Sequence, residues 1–378
     1  MSPHDEPAAA SANRRIMFLY WGRRGAMPLF TLQLGRAALT IPGLEPTICV
    51  SRQNALFPDY AALGPALLPI DTFTKNTGAF TQAWRLPALR ASLAHHVKTH
   101  RIDAVVDLMT HVWSPFAASA VQQAGARYLA IVHDADAHPG DPTTWVKALT
   151  DHGLRKADGI ITLSHAVADR LVMTGTVPPE RIATLFLPDL ALSEAPSPPP
   201  EFRPGQPIAL MFLGRIMPYK GFGLFLEMIE ILRGRGHNIQ AGVFGEGNID
   251  AYNSRLTAIG AEVVNRWLTE AEIAAVLPRY HAVVLSHTEA SQSGVTAVAF
   301  GAGRPVVVTP VGGLAEQVAD GVTGTIASAV DAPALAAAVE RLFASPQTYA
   351  DMCANVMTSR NSRSMRRFVE RCIAVAVP

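Results

Sequence analysis

Short apolar runs alternate along this chain with longer stretches whose apolar positions recur at helical spacing. RIMFLYW (15–21), PTICVS (46–51), DAVVDL (103–108), RYLAIVH (127–133) and GIITLS (159–164) make a first series of such runs. A second begins with IALMFLG (208–214) and continues through IQAGVFG (239–245), HAVVLS (281–286) and RPVVVT (304–309). Several are apolar without alternation, the pattern of strands covered on both faces. Phe222, Phe225, Leu226, Ile229 and Leu232 mark one intervening helix, and Leu29, Leu32, Leu34 and Leu39 another. Strands and helices in alternation predict parallel sheets of right-handed βαβ units, hence an α/β fold with two Rossmann-like domains.

The two series are separated by LPDLALSEAPSPPPEFRPGQP, Leu187 to Pro207, whose density of Pro and Ser is that of an interdomain linker. The expected organisation is a disordered tail over 1–13, a first domain over 14–189, a linker over 190–207 and a second domain over 208–359. A C-terminal helix at about 360–378 is expected to return to the first domain. The stretch from Asn54 to Trp84 is rich in Gly, Pro and Thr, and its pattern assigns no element.

Composition narrows the function classes. A chain of 378 residues with 49% hydrophobic content suits two cores rather than one. Thirty-two Lys and Arg against 31 Asp and Glu leave a formal charge of +1, so no global field draws the protein to nucleic acid or an anionic membrane. Any anion it binds must be held locally. Cys49, Cys353 and Cys372 lie far apart and form no CxxC or metal-ligand spacing, which reads as reduced structural thiols. The opening MSPHDEPAAASANRR is polar, and the apolar run after it is too short for a signal sequence. With no apolar stretch of membrane-spanning length, the expected location is cytoplasmic, with peripheral attachment as the alternative.

Candidate chemistry sits where the second series of strands turns into helices. Arg215 and Lys220 flank the turn RIMPYKGFG, at the carboxyl end of a parallel strand and beside a helix start, where two cations can converge on an anion that free N–H groups already favour. Two solvated side chains would fit that turn equally well. After HAVVLS, the residues Gln292, Ser293, Gly294 and Val295 enter the next helix, and Gly294 allows close backbone approach. Ser293 alone reads as an ordinary N-cap. Gly312 and Gly313 stand at a third such turn.

GRIMPYKGFGLFLEMIEIL, FGEGN and TEASQSGVTAVAFGAGRPVVVTPVGGLAEQVADGVTGTI, in this order and spacing, resemble the donor half of a family 4 glycosyltransferase with the GT-B fold. VHDADAHPGD and RKADGIITLSHAVADRL resemble further segments of that family, so the likeness runs over roughly residues 127 to 327. It implies parallel sheets facing across a cleft, a nucleotide-diphosphate sugar as donor, retention of anomeric configuration, and no metal or other cofactor. Arg215 and Lys220 would then neutralise the diphosphate, Gly214 would lie beside them in the donor site, and the N–H groups around Ser293, Gly294 and Val295 would hold phosphate. Glu289 and His133 would face the donor sugar, Gly245 and Gly247 would leave room beside the nucleotide, and Arg266 or Trp267 would touch the base. SQSGV stands where the family usually carries an EGFG loop. The chain also departs from the family at Val298, which occupies the position of a second Glu that usually binds ribose.

In the first half, the turn after the first strand carries Gly22, Arg23, Arg24 and Gly25, and its arginines are suited either to an anionic acceptor or to solvent. His133 directly follows an apolar run, beside Asp134, Asp136 and His138, while His111 ends another strand, so Asp134 and His111 join Gly22, Arg23 and Arg24 as acceptor-side candidates. The basic amphipathic tail NSRSMRRFVERCIAV either closes the fold or touches the inner membrane surface. The leading expectation is transfer of a sugar from a nucleotide sugar to a glycan or lipid-linked saccharide, with no nucleic-acid partner. A sugar-nucleotide epimerase of similar fold and a non-catalytic sugar-nucleotide-binding protein are the rivals.

Overall fold

A computed structural model describes residues 13–75, 77–136, 144–193 and 197–378, with backbone alone at 144–147. The tail expected over 1–13 falls outside the described residues as far as residue 12, and so does His138. The first sheet contains β1 (Arg14–Tyr20), β2 (Leu44–Ser51), β3 (Leu67–Ile70), β4 (Ala104–Asp107), β5 (Arg127–Val132), β6 (Gly159–Thr162) and β7 (Ile182–Thr184), in the order β3-β2-β1-β4-β5-β6-β7. The second contains β8 (Ile208–Leu213), β9 (Ile239–Phe244), β10 (Glu262–Val264), β11 (Ala282–Leu285), β12 (Val306–Val308) and β13 (Gly324–Ile326), in the order β10-β9-β8-β11-β12-β13. Neighbours run parallel, with Phe18 opposite both Ile48 and Val106, and Val284 opposite Val307. Every residue of β8 is buried, because helices cover both faces of its sheet.

Strand order reverses direction between β1 and β4 and again between β8 and β11. At such a switch point the connecting helices leave to opposite faces, and a crevice opens beyond the carboxyl ends of the strands. The turns carrying Arg215 and Glu289 follow β8 and β11. All nine expected strands are present, with ends trimmed by a residue or two, or extended by one at the start of β1 and by two at the start of β2. The unassigned stretch holds a helical turn at Phe57–Ala66, then β3, then a short helix at Gly78–Thr81. The four strands the pattern did not announce, β3, β7, β10 and β13, have three or four residues each and lie on the outer parts of their sheets.

By packing, the chain divides into two compact units. The first comprises residues 1–131, 148–160 and 369–378, and the second residues 132–147 and 161–368. In the second unit the linker is held by Arg304, which is wholly buried and donates to the carbonyls of Ser197, Pro198 and Ala302 at 3.0, 3.1 and 2.8 Å. The buried Asp189 pairs with the partly buried Arg363 in that unit, at 2.9 Å. All three cysteines are free and buried, and burial pushes the Cys49 thiol up to about 12.

The last helix, Met365–Ala376, buries Phe368, Val369, Cys372, Ile373 and Ala376. The apolar face that a membrane would need on this helix is therefore already covered. Arg127 caps its end by donating to the Ala376 carbonyl at 2.7 Å. No helix among the described residues is long and apolar enough to cross a membrane.

Candidate active site

The site grows out of two turns in the second unit that are tied to each other. Leaving β8, the chain passes through Gly214 and Arg215 to the short turn Pro218–Lys220, then through Gly221 into the helix Phe222–Gly234. Leaving β11, it runs through Ser286 to Glu289 and enters the helix Gly294–Gly301. The Ser286 hydroxyl donates to the Gly221 carbonyl at 2.9 Å, and the Thr288 N–H donates to the Tyr219 carbonyl at 2.8 Å. Gly221 is required here, since its φ of 61° is left-handed and a Cβ would lie 1.8 Å from the Ser286 carbonyl oxygen.

This stitching sets Lys220 Nζ 2.7 Å from Nε2 of His287, which is itself buried. An ammonium only donates, so the imidazole accepts at Nε2 and carries its proton on Nδ1. Burial, reinforced by Arg215, pulls Lys220 down to about 8, while Asp134 opposes the shift. Arg215 and Glu289 are exposed, and no described residue hydrogen-bonds to either side chain. His133 meets the second turn through Nδ1, 3.4 Å from Gln292 Nε2. Asp136 pairs with Arg170 at 2.5 Å.

Ser293 occupies the N-cap position of its helix, yet its hydroxyl makes no capping bond and is buried with no hydrogen-bond partner among the described residues. Its backbone N–H is also taken: it donates to Gln317 Oε1 at 2.7 Å, while Gln317 Nε2 donates to the Ser293 carbonyl at 3.2 Å. That leaves the N–H groups of Gly294 and Val295 as the first without an acceptor among the described residues. The ordinary-cap reading of Ser293 is thus corrected, because the neighbouring glutamine clamps its backbone instead.

The glycines serve backbone contacts. A Cβ on Gly245 would fall 1.9 Å from the Gly214 carbonyl oxygen, and one on Gly247 2.4 Å from that of Ile216, so the turns after β8 and β9 lie directly against each other. Asn265 locks this arrangement, accepting from the Gly247 N–H at 3.0 Å and donating to its carbonyl at 2.9 Å. Gly312 and Gly313 pack against the carbonyls of Ala290 and Ser291, and the helix they begin, Gly312–Glu316, has only five residues. Ser164 donates to that same Ser291 carbonyl at 2.9 Å, and Glu316 accepts from the N–H groups of His165 and Ala166. Arg266 is bound through two hydrogen bonds to Glu272, whereas Trp267 is exposed. Val298 is buried within the helix Gly294–Gly301, and Val295 reaches toward Gly214.

Gly22, Arg23, Arg24 and His111 belong to the first unit. There the Arg23 guanidinium lies 5.8 Å from the centre of the Phe73 ring, which stands 5.0 Å from His111. Burial, with Arg23 adding to it, lowers His111 to about 4, so this imidazole is neutral at physiological pH. Among the described residues no three His, Cys, Asp or Glu side chains gather as metal ligands.

Two family profiles tile most of the chain: Glycosyltransferase Family 4 matches residues 31–186, and Glycosyl transferases group 1 matches residues 207–345. The chain belongs to the family 4 glycosyltransferases. It is 26% identical over 238 residues to the alpha-D-kanosaminyltransferase of Streptomyces kanamyceticus, which covers 57% of this chain and 60% of that one. It is 28% identical over 171 residues to the amylovoran biosynthesis glycosyltransferase AmsK of Erwinia amylovora, covering 41% and 40%. The chain thus spans less than two thirds of the length of the curated relatives it matches. Its fold follows that of Anabaena Alr3699/HepE, solved in complex with UDP and glucose, with a TM-score of 0.70 at 14% identity over 95% of this chain and 98% of that one. The fold is the α/β GT-B type.

Sequence reasoning on this family 4 member passed over three residues that shape the site. His287 carries the signal used for His133, a histidine directly beyond an apolar run, and could have been found by it. Gln317 and Asn265 carry none, since their partners Ser293 and Gly247 lie 24 and 18 residues away.

Proposed function

We propose that the protein transfers a sugar from a nucleotide-diphosphate sugar to a hydroxyl of a glycan or lipid-linked saccharide, with retention of anomeric configuration and without a metal. The observation that carries this reading is the half-desolvated Lys220, held by His287 beside the open Arg215 at the switch point of a parallel sheet. Two cations and the N–H groups of Gly294 and Val295 favour a diphosphate there, and such fixed charges stabilise it most as its charge develops on departure. The bond from the anomeric carbon to the diphosphate oxygen breaks, and one to the acceptor oxygen forms on the face the diphosphate leaves. The acceptor's proton goes to the departing phosphate oxygen, so no side-chain nucleophile is required. Glu289 and His133 stand on the sugar side of this reading, and the SQSGV turn is a variant phosphate loop. HepE, whose structure holds UDP and glucose, lends support as a relative in fold.

A panel of nucleotide sugars, read first by thermal shift and then by transfer in EDTA, tests the proposal. One donor should raise the melting temperature and be consumed. Lys220→Ala and Arg215→Ala should each cost about 10²- to 10³-fold in kcat, and NMR of the product should show the donor's anomeric configuration. Full activity in both variants would sink the reading.

A further inference from the structure

Lys220 stands in surroundings unlike those of Lys75, Lys98 and Lys156, which are exposed. It is partly buried, with Nζ 2.7 Å from Nε2 of His287 and 5.2 Å from the centre of the Tyr219 ring. Burial is the main influence on its charge, Arg215 adds to it and Asp134 opposes it, and together they bring the amine down to about 8. Part of the population is therefore free base near neutral pH, where an ordinary lysine at about 10.4 is almost wholly protonated.

A neutral amine is a nucleophile, and desolvated lysines are the ones that form covalent bonds. Two further requirements for such a step are met around Lys220. The proton that the amine sheds has an acceptor in His287, whose Nε2 already takes the hydrogen bond. An anionic reagent has a place to be held, between the exposed Arg215 and the N–H groups of Gly294 and Val295.

We propose that Lys220 is a modification site for acyl phosphates, which dock through their phosphate and acylate the amine, with loss of diphosphate binding as the result. Nζ attacks the carbonyl carbon of the reagent, the carbon–oxygen bond to phosphate breaks, and the phosphate leaves with that electron pair. The amine proton passes to His287 Nε2 and from there to the departing phosphate, leaving an amide on Lys220. An amide carries no charge, so one of the two cations that favour a diphosphate is lost. This modification relies on the anion site of the proposed function and on nothing in sugar transfer itself.

The test is incubation of the full chain with acetyl phosphate at about pH 8, where the amine titrates, followed by peptide mass spectrometry of the lysines. Lys220 should be acetylated at least about tenfold faster than Lys75, Lys98 and Lys156. Inorganic diphosphate should protect Lys220 and leave the three exposed lysines unprotected. His287→Gln, which keeps a hydrogen-bond acceptor but no base, should slow acetylation of Lys220 at least about tenfold. The acetylated protein should lose the thermal shift that inorganic diphosphate gives the parent. Acetylation of Lys220 no faster than that of the exposed lysines overturns the proposal. So does fast acetylation that diphosphate fails to prevent, that His287→Gln leaves at the parental rate, or that leaves the diphosphate shift intact. A nucleotide sugar that binds and is consumed by a protein inert to acetyl phosphate would remove this inference alone. Diphosphate-protected acetylation in a protein that consumes no nucleotide sugar would remove the donor reading alone.

Discussion

Lys220 Nζ and His287 Nε2 stand 2.7 Å apart, at the meeting of the turns that leave β8 and β11. The neutral imidazole is the acceptor that orients a desolvated ammonium. Because burial pulls Lys220 down to about 8, affinity for the nucleoside diphosphate of the donor that the panel selects, measured by calorimetry, should decline as pH rises through 8, and Lys220→Met should abolish that decline. His287→Gln, which still offers an acceptor, should bind nearly as the parent does, while His287→Leu should bind at least about tenfold more weakly, as expected for losing a hydrogen bond to a charged group.

The same lysine has a signature in stability. Its value in the folded chain lies below the ~10.4 of an unfolded lysine, so the native state releases this proton first. Stability from this group should therefore rise between about pH 8 and pH 10.4. Lys220→Met should melt higher than the parent at pH 7, a gain of about 1 to 3 kcal/mol that denaturant unfolding would read.

Gln317 separates helix support from anion binding. In Gln317→Glu the carboxylate still accepts from Ser293 N–H and suits the positive end of the helix Gly294–Gly301, but its second oxygen faces the Ser293 carbonyl to which Nε2 donated, so the ligand-free protein should melt several degrees below the parent and still fold. A negative charge at that position opposes a bound phosphate. The thermal shift produced by the donor that the panel selects should fall to less than half of the parent's shift.

Asp107 gives an opposite slope in acid. It is wholly buried in β4, accepts from the Tyr128 hydroxyl at 2.6 Å, and is pushed up to about 6 by burial. Its folded value exceeds the ~3.9 of an unfolded aspartate, so its contribution is complete below about pH 4 and is lost as pH rises through 6. The loss is about 3 kcal/mol at most. Asp107→Asn should flatten the urea-derived stability profile across that window.

Gly221 and Gly236 both have positive φ, yet only the first faces an obstacle. Gly236→Ala should cost about 1 to 2 kcal/mol, the strain of a left-handed backbone alone. Gly221→Ala must also move the Ser286 carbonyl, and should cost at least about 3 kcal/mol or leave the protein insoluble. Unfolding curves of the two variants measured side by side provide the check.

The nine long apolar runs were legible because strands buried on both faces need no partner information to be recognised. LLPI, IAT, EVV and GTI were not, since an edge strand of three or four residues is selected by its neighbour's free ladder more than by its own composition. At the site, Arg215 and Lys220 were singled out by their places at a strand end, and Glu289 by the family resemblance alone. The roles of Gly245 and Gly247 could not: the residues that fill the space above them, Gly214 and Ile216, belong to another turn. Arg266 looked available in the sequence and is engaged by Glu272, because a capping box at Thr269 places that carboxylate within reach.

The contacts of Gly221, Gly245, Gly247, Gly312 and Gly313 with facing carbonyls make the connecting turns a single interlocked part. Anyone redesigning substrate choice inherits a division of labour from this. Diversity introduced at the glycines or at the buried Val298 would be spent on misfolded clones, whereas Arg215, Glu289, Gln292 and Val295 project from that framework and can be varied as a library without disturbing the backbone that carries them.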